Sequence, residues 1–521
     1  MITKILLLVV FFAVLLGVGF YSRKKASSVE GFVLGGRSVG PWLTAFAYGT
    51  SYFSAVVFVG YAGQFGFKYG LASTWIGIGN AVLGSLIAWV VLGRRTRIMS
   101  KSLKAKTMPD FFGKRYDSRE LRITASIISF VFLIPYTASV YNGLSRLFGM
   151  AFDIPYMPCV IVMAALTGLY VLLGGYMATA INDFIQGIIM LVGILAVIIS
   201  VLNGQGGFYE AITKLSQTSA DSGALTGMQG AYVSFFGPDP INLFGVIVLT
   251  SLGTWGLPQM VSKFYAIKDE KAVKTGTIIS TFFAIIVSGG CYFLGGFGRL
   301  FDTEAIHGTD GSVIYDAIIP SMLSTLPDIL IGIVVVLVLS ASMSTLSSLV
   351  LTSSSTLTLD LIKGNIVKKM SEKSQLLWMR ILLVLFVVLS VVLAINPPTF
   401  IAQLMGISWG ALAGAFLAPF LYGLYWKGVT KSAVWASFIC GVGITVSNMF
   451  LHFIASPINA GAVAMIAGLI IVPVVSSITP KLSKDKLESI FSCYEEKIVI
   501  EKKYSLPEEM PEDKPEPFSE N

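Results

Sequence analysis

The chain has 521 residues, 55% of them hydrophobic and only 13% charged, with a net charge of +8 and a mean hydropathy of +0.77. Soluble domains are about 45–50% apolar and about 25% charged, so this composition leaves too little polar surface for a water-soluble enzyme of this length. Four scattered cysteines and two histidines argue against a disulfide framework and a histidine-built metal centre.

A crossing helix needs about 20 apolar residues to span a hydrocarbon slab roughly 30 Å thick. The first apolar run, about 5–21, is followed at once by Arg23, Lys24 and Lys25. Signal peptides carry their positive charge ahead of the run, so this one reads as a retained helix that starts outside. Further spans are predicted near 41–66, 73–93, 121–146, 156–174, 182–202, 241–262, 276–298, 328–360, 376–395, 399–425, 432–453 and 460–479. These thirteen spans place all but five (Lys4, Lys68, Arg146, Lys214 and Arg299) of the 37 Lys and Arg on one side. By the positive-inside rule that side is cytoplasmic, with the N-terminus outside and the C-terminus inside. Basic loops of this kind orient a membrane protein, and no nucleic-acid partner is expected. Arg122 and Arg380, at cytoplasmic ends, read as snorkelling anchors. Residues 1–480 form the expected transmembrane domain. Residues 481–521, rich in Pro and Glu, read as a largely disordered cytoplasmic tail.

Three spans depart from plain apolar helix. The second concentrates Gly49, Thr50, Ser51, Tyr52 and Ser54 near mid-membrane. Either the helix breaks there, freeing carbonyls for a cation, or it presents an unbroken small-residue face. In the ninth span Ala341, Ser344, Thr345 and Ser348 follow the i, i+3, i+4, i+7 spacing of one helical face. Hydroxyl and carbonyl oxygens are hard, neutral ligands suited to an alkali cation, whereas Mg²⁺ or Ca²⁺ favours carboxylates. The same hydroxyls can instead bond back to their own helix. The sixth span opens with Asn182 and Asp183. A carboxylate there either faces a polar pathway or caps a helix at the membrane edge.

At these residues the chain resembles the sodium/solute symporter family, above all its sodium/proline and sodium/pantothenate branch. The resemblance rests on Val33-Leu-Gly-Gly-Arg-Ser-Val-Gly40, Thr50-Ser-Tyr-Phe-Ser54, Gly174-Gly-Tyr176 with Asn182-Asp-Phe-Ile-Gln186, Gly256-Leu-Pro-Gln259, and Ala341-Ser-Met-Ser-Thr-Leu-Ser-Ser348. It implies an all-α, polytopic fold with a five-plus-five inverted-repeat core, spans two to six and seven to eleven, in the plasma (inner) membrane. It also implies sodium-coupled import of a small organic solute by alternating access. The main sodium site would use the carbonyls of Thr50, Phe53 and Ala341 and the hydroxyls of Ser344 and Thr345. A second sodium site, present in some members, would fall at Asp183, Ser347 and Ser348, which favours the ligand role for Asp183. Candidate solute-lining residues are Tyr52, Ser54, Tyr136, Thr250, Thr254 and Pro258. Tyr136 and Pro258 match the proline branch and Tyr52 the pantothenate branch, so proline-like or pantothenate-like monocarboxylates lead and sugars follow.

The alternatives are a proton-coupled carrier, for which Asp183 is the titratable candidate, and a transporter-like sensor, for which the tail is too small. An enzyme is not expected: there is no Ser/His pair, HExxH or phosphate loop. Beyond a small solute and the lipid bilayer, no obligatory protein partner is evident.

Overall fold

The computed structural model describes residues 2–495 except 153–154, 222, 364 and 397–398. The chain is helical nearly throughout, and among the described residues extended backbone pairs only as isolated bridges. The main helices are α1 (Ile2–Ser22), α2 (Pro41–Tyr52), α3 (Val56–Ser102), α4 (Arg119–Phe152), α5 (Tyr156–Gly204), α6 (Pro240–Trp255) and α7 (Pro258–Ala266). They continue with α8 (Glu270–Gly295), α9 (Asp328–Ile362), α10 (Glu372–Ile395), α11 (Ile401–Tyr425), α12 (Lys431–Leu451), α13 (Pro457–Ile478) and the short α14 (Lys484–Phe491).

Ten helices among the described residues are individually long and apolar enough to cross a membrane, or eleven if α6 and α7 count as one bent span. Thirteen were expected. The difference arises where two expected spans run on as one helix. α5 has 49 residues, about 74 Å at 1.5 Å per residue, far beyond a single crossing. It turns at Gly175, whose φ of 53° and ψ of −148° suit glycine alone. In α3 the corresponding turn is Gly70, with φ 62° and ψ −141°.

Two discontinuities organise the core. α2 ends where Phe53 leaves helical geometry (φ −107°, ψ 89°), and the next helix restarts on the Ser54 carbonyl, which accepts from the N–H groups of Val57 and Phe58. The pair α6/α7 is bent by 41° at a break between Trp255 and Pro258. Interrupted helices in corresponding positions are the mark of inverted-repeat transporters. Here they open the two five-span halves. α2 packs against α5, α7, α8 and α9, while α11, α12 and α13 pack on one another. Close approach depends on glycine: a Cβ on Gly66 would lie 2.0 Å from the backbone of Gly295, between α3 and α8.

The end of the bundle that carries the basic block is bound by buried ion pairs. Arg122, expected to snorkel, instead turns inward. Its Nε lies 2.8 Å from Asp360 Oδ1, and Nη2 donates to the Leu359 carbonyl at 2.5 Å. Asp360 is fully buried and draws the guanidinium away from lipid. Arg380 is exposed, as expected. Arg37, from the glycine-rich turn, donates to the carbonyls of Ala105 and Tyr265. Of the expected tail, residues 496–521 lie outside the described residues. The rest forms α14, and Phe491 and Tyr494 receive the guanidinium groups of Arg115 and Arg95 over their rings at 4.9 and 4.6 Å.

Candidate functional site

The break after α2 meets the hydroxyl face of α9. Ser344 donates to Thr50 Oγ1 at 2.7 Å, and Thr50 Oγ1 donates to the Phe46 carbonyl at 2.8 Å. Thr345 Oγ1 lies 3.3 Å from the carbonyl oxygens of both Thr50 and Ser51 and 3.1 Å from that of Ala341. All of these residues are buried. The last carbonyls of a helix have no partner within it, so the end of α2 presents free oxygens to the hydroxyls of α9. Back-bonding to the parent helix does occur, through Thr345 to Ala341 and Ser347 to the Ser344 carbonyl at 2.8 Å. The contacts across to α2 are additional to it. Thr50, Ala341, Ser344 and Thr345 are thus brought together around neutral oxygens, with Phe53 at the turn itself.

Asp183 does not begin a helix. It lies about two turns beyond Gly175 within α5 and is fully buried, so the capping role at the membrane edge falls away. Its counter-charge is Lys263 of α7, whose Nζ stands 3.8 Å from Asp183 Oδ2 and donates to Ser348 Oγ at 2.9 Å. Ser348 Oγ in turn lies 2.8 Å from Ser51 Oγ, in the last turn of α2. Lys263 falls one residue beyond the expected seventh span, 241–262, whereas the bent pair continues to Ala266 and carries the lysine inside. A cavity of about 20 Å³, room for one water, runs beside it, lined by Thr107, Tyr176, Pro258, Lys263, Ser348 and Ser355.

The expected solute residues do not all meet in one place. Tyr52 donates to the Thr250 carbonyl at 2.5 Å, Thr250 Oγ1 donates to the Val246 carbonyl, and Thr254 Oγ1 to those of Gly84 and Ser251. These hydroxyls hold α2, α3 and α6 together. Ser54 Oγ accepts from the Val56 N–H at 3.2 Å and so caps the restarted helix. Pro258 belongs to the cavity beside Lys263. Tyr136 stands with Trp409 of α11, ring centroids 5.8 Å apart, and Tyr52 lies 6.0 Å from the same indole. Tyr61, Tyr136 and Trp409 are fully buried; Tyr61 Oη has no hydrogen-bond partner among the described residues, and Tyr136 Oη faces Ser54 and Trp409 without a bond of ordinary geometry to either. The helix stretch bearing Tyr61 packs on both α4 and α11. Tyr61 and Trp409 were not foreseen, because nothing in their own apolar segments marks them as polar.

Comparisons with known proteins agree with this architecture. A sequence model of the Sodium:solute symporter family matches residues 32–441. The sodium/proline symporter of Staphylococcus aureus (strain JH9) is 30% identical over 508 residues, covering 92% of both chains. The fold resembles that of a Na⁺-coupled sialic acid symporter in a substrate-bound outward-open state (TM-score 0.76, 16% identity, 92% of this chain and 99% of that one). It also resembles Mhp1, a nucleobase-cation-symport-1 family transporter, in a closed conformation (TM-score 0.51, 14% identity, 88% and 97%).

Proposed function

The chain belongs to the sodium:solute symporter family, and from that premise we propose that it imports a small monocarboxylate together with Na⁺ across the plasma membrane, N-terminus outside, by alternating access. The observation that carries the reading is the seating of Thr345 and Ser344 against the open end of α2. Sodium would be held by the carbonyls of Thr50, Phe53 and Ala341 and the hydroxyls of Ser344 and Thr345. These oxygens are neutral, so a monovalent ion brings its full charge into a site whose own dipoles compensate it.

The solute would sit on the other side of the same break, among Tyr52, Tyr61, Tyr136 and Trp409. An indole N–H can only donate and a phenol donates readily. Buried donors without a well-formed hydrogen bond favour an acceptor-rich ligand, and a carboxylate fits them. The apolar rings around them suit a compact ring or aliphatic body, as in proline. Bound next to each other, ion and solute would both draw α2 toward α9 and α11, which is how occupancy of one favours the other.

The driving force is sufficient. At 100 mV a monovalent cation gains about 2.3 kcal/mol, and a tenfold sodium gradient adds about 1.4 kcal/mol. One sodium ion therefore supports roughly 500-fold accumulation of a neutral zwitterion. Uptake of radiolabelled proline and pantothenate into proteoliposomes, with and without an inward sodium gradient, tests the proposal. Sodium-stimulated entry of one of them is expected, and entry indifferent to sodium rejects the coupling.

A further inference from the structure

The buried Lys263 has a consequence for how many ions the carrier takes. This inference rests on the sodium-coupled reading above and goes beyond it. We propose that the Lys263 ammonium is a built-in cation filling the second ion position, formed by Asp183 and Ser348, so that the chain binds one sodium ion rather than two.

The lysine and the aspartate are both withdrawn from solvent, their side chains 2% and 0% exposed. An isolated charge buried to this depth is untenable, so the two must compensate each other. Among the described residues no hydrogen bond of ordinary geometry reaches either carboxylate oxygen of Asp183, and Ser344 is the one other side chain that approaches the carboxylate as a donor. These oxygens are the ones a second ion would need, and the ammonium already faces them. Lys Nζ is a compact point charge with three donors. It is 2.9 Å from Ser348 Oγ, 3.8 Å from Asp183 Oδ2 and 5.3 Å from the centre of the Tyr176 ring. A sodium ion sharing Asp183 and Ser348 would lie against a like charge at close range.

The ammonium also does the mechanical work of an ion. Through Ser348 Oγ it reaches Ser51 Oγ at 2.8 Å, and the Ser51 carbonyl is one of the two oxygens facing Thr345 Oγ1. The ammonium on α7 thereby steadies the end of α2 from behind while the transported sodium occupies the front. Ser347 takes no part: its hydroxyl is turned to the Ser344 carbonyl.

Equilibrium binding of ²²Na⁺ to the purified full-length chain, counted by scintillation proximity at saturating sodium, tests this without knowledge of the solute. One sodium per wild-type chain is expected, falling to none in a Ser344→Ala/Thr345→Ala variant. Lys263→Gln and Lys263→Met vacate the position and raise the count to two. Two sodium ions on the wild type, or a single ion on a folded Lys263→Gln chain, overturn the proposal. Asp183→Asn supplies an independent arm if the lysine variants do not fold. A count still at one supports a carboxylate engaged by the ammonium, and a count of zero overturns it. A wild-type chain that binds no sodium would reject the symport reading itself, an outcome distinct from either of these.

Discussion

Ser344 donates its hydroxyl to Thr50 Oγ1 at 2.7 Å, joining residues 294 positions apart. That bond locks the hydroxyl face of α9 onto the last turn of α2 and holds these oxygens together. Preorganisation of this kind reduces the ordering cost of binding.

Replacing Ser344 or Thr345 by Ala removes one oxygen each from the proposed sodium cage. A lost contact of this type costs about 1–3 kcal/mol, so the apparent sodium affinity should fall about 5- to 150-fold per substitution. Sodium titration of solute uptake measures it. A proton-driven carrier working through Asp183 would keep most of its activity in the same variants.

Trp409→Phe keeps a ring beside Tyr136 and Tyr52 while deleting the buried Nε1–H. The KM for the carboxylate solute should rise about tenfold, as expected for a donor worth about 1.4 kcal/mol. The sodium concentration for half-maximal uptake should stay within about twofold of wild type, because the indole is not among the proposed sodium ligands. Initial-rate kinetics varying each substrate in turn separates the two.

Arg122→Met leaves Asp360 fully buried without its counter-charge, with the Thr107 hydroxyl still donating to it. Breaking a buried pair from one side costs about 3–5 kcal/mol, whereas replacing both partners by apolar groups is close to neutral. Thermal unfolding in detergent should show a large loss for Arg122→Met and recovery of most of it in Arg122→Met/Asp360→Leu.

Asp316, in the connection between α8 and α9, accepts from the Ile401 N–H at 3.3 Å. Burial raises its carboxyl to about 6, against the opposing pull of that N–H and of Arg146. A raised folded value means that the protonated form favours the folded state. Its contribution is fully present below the ordinary carboxylate value near 4 and is lost as pH rises toward 6. Unfolding temperature should therefore fall through that window. In Asp316→Asn this component of the slope should vanish, which a pH series of melts will show.

Much of this was legible in the sequence because a bilayer imposes local rules. Apolar runs of set length mark the crossings, and Ser344, Thr345 and Ser348 declare a polar face within a single helix turn or two. Gly49, Thr50, Ser51 and Ser54 stand out as small or polar at mid-membrane, although composition alone left open whether the helix breaks there. What the sequence could not determine is which distant surfaces those faces meet. Lys263 looked like the first residue of a loop until the bend between α6 and α7 drew it inside against Asp183. Arg122 looked like an anchor until Asp360 offered it a buried carboxylate. Tyr61 and Trp409 sit in apolar segments, and only the packing of α4 and α11 around the break gathers them beside Tyr136. Within a membrane each helix satisfies its own backbone, so its existence is encoded locally. The partners of its side chains depend on helix-to-helix packing, which only the tertiary structure decides.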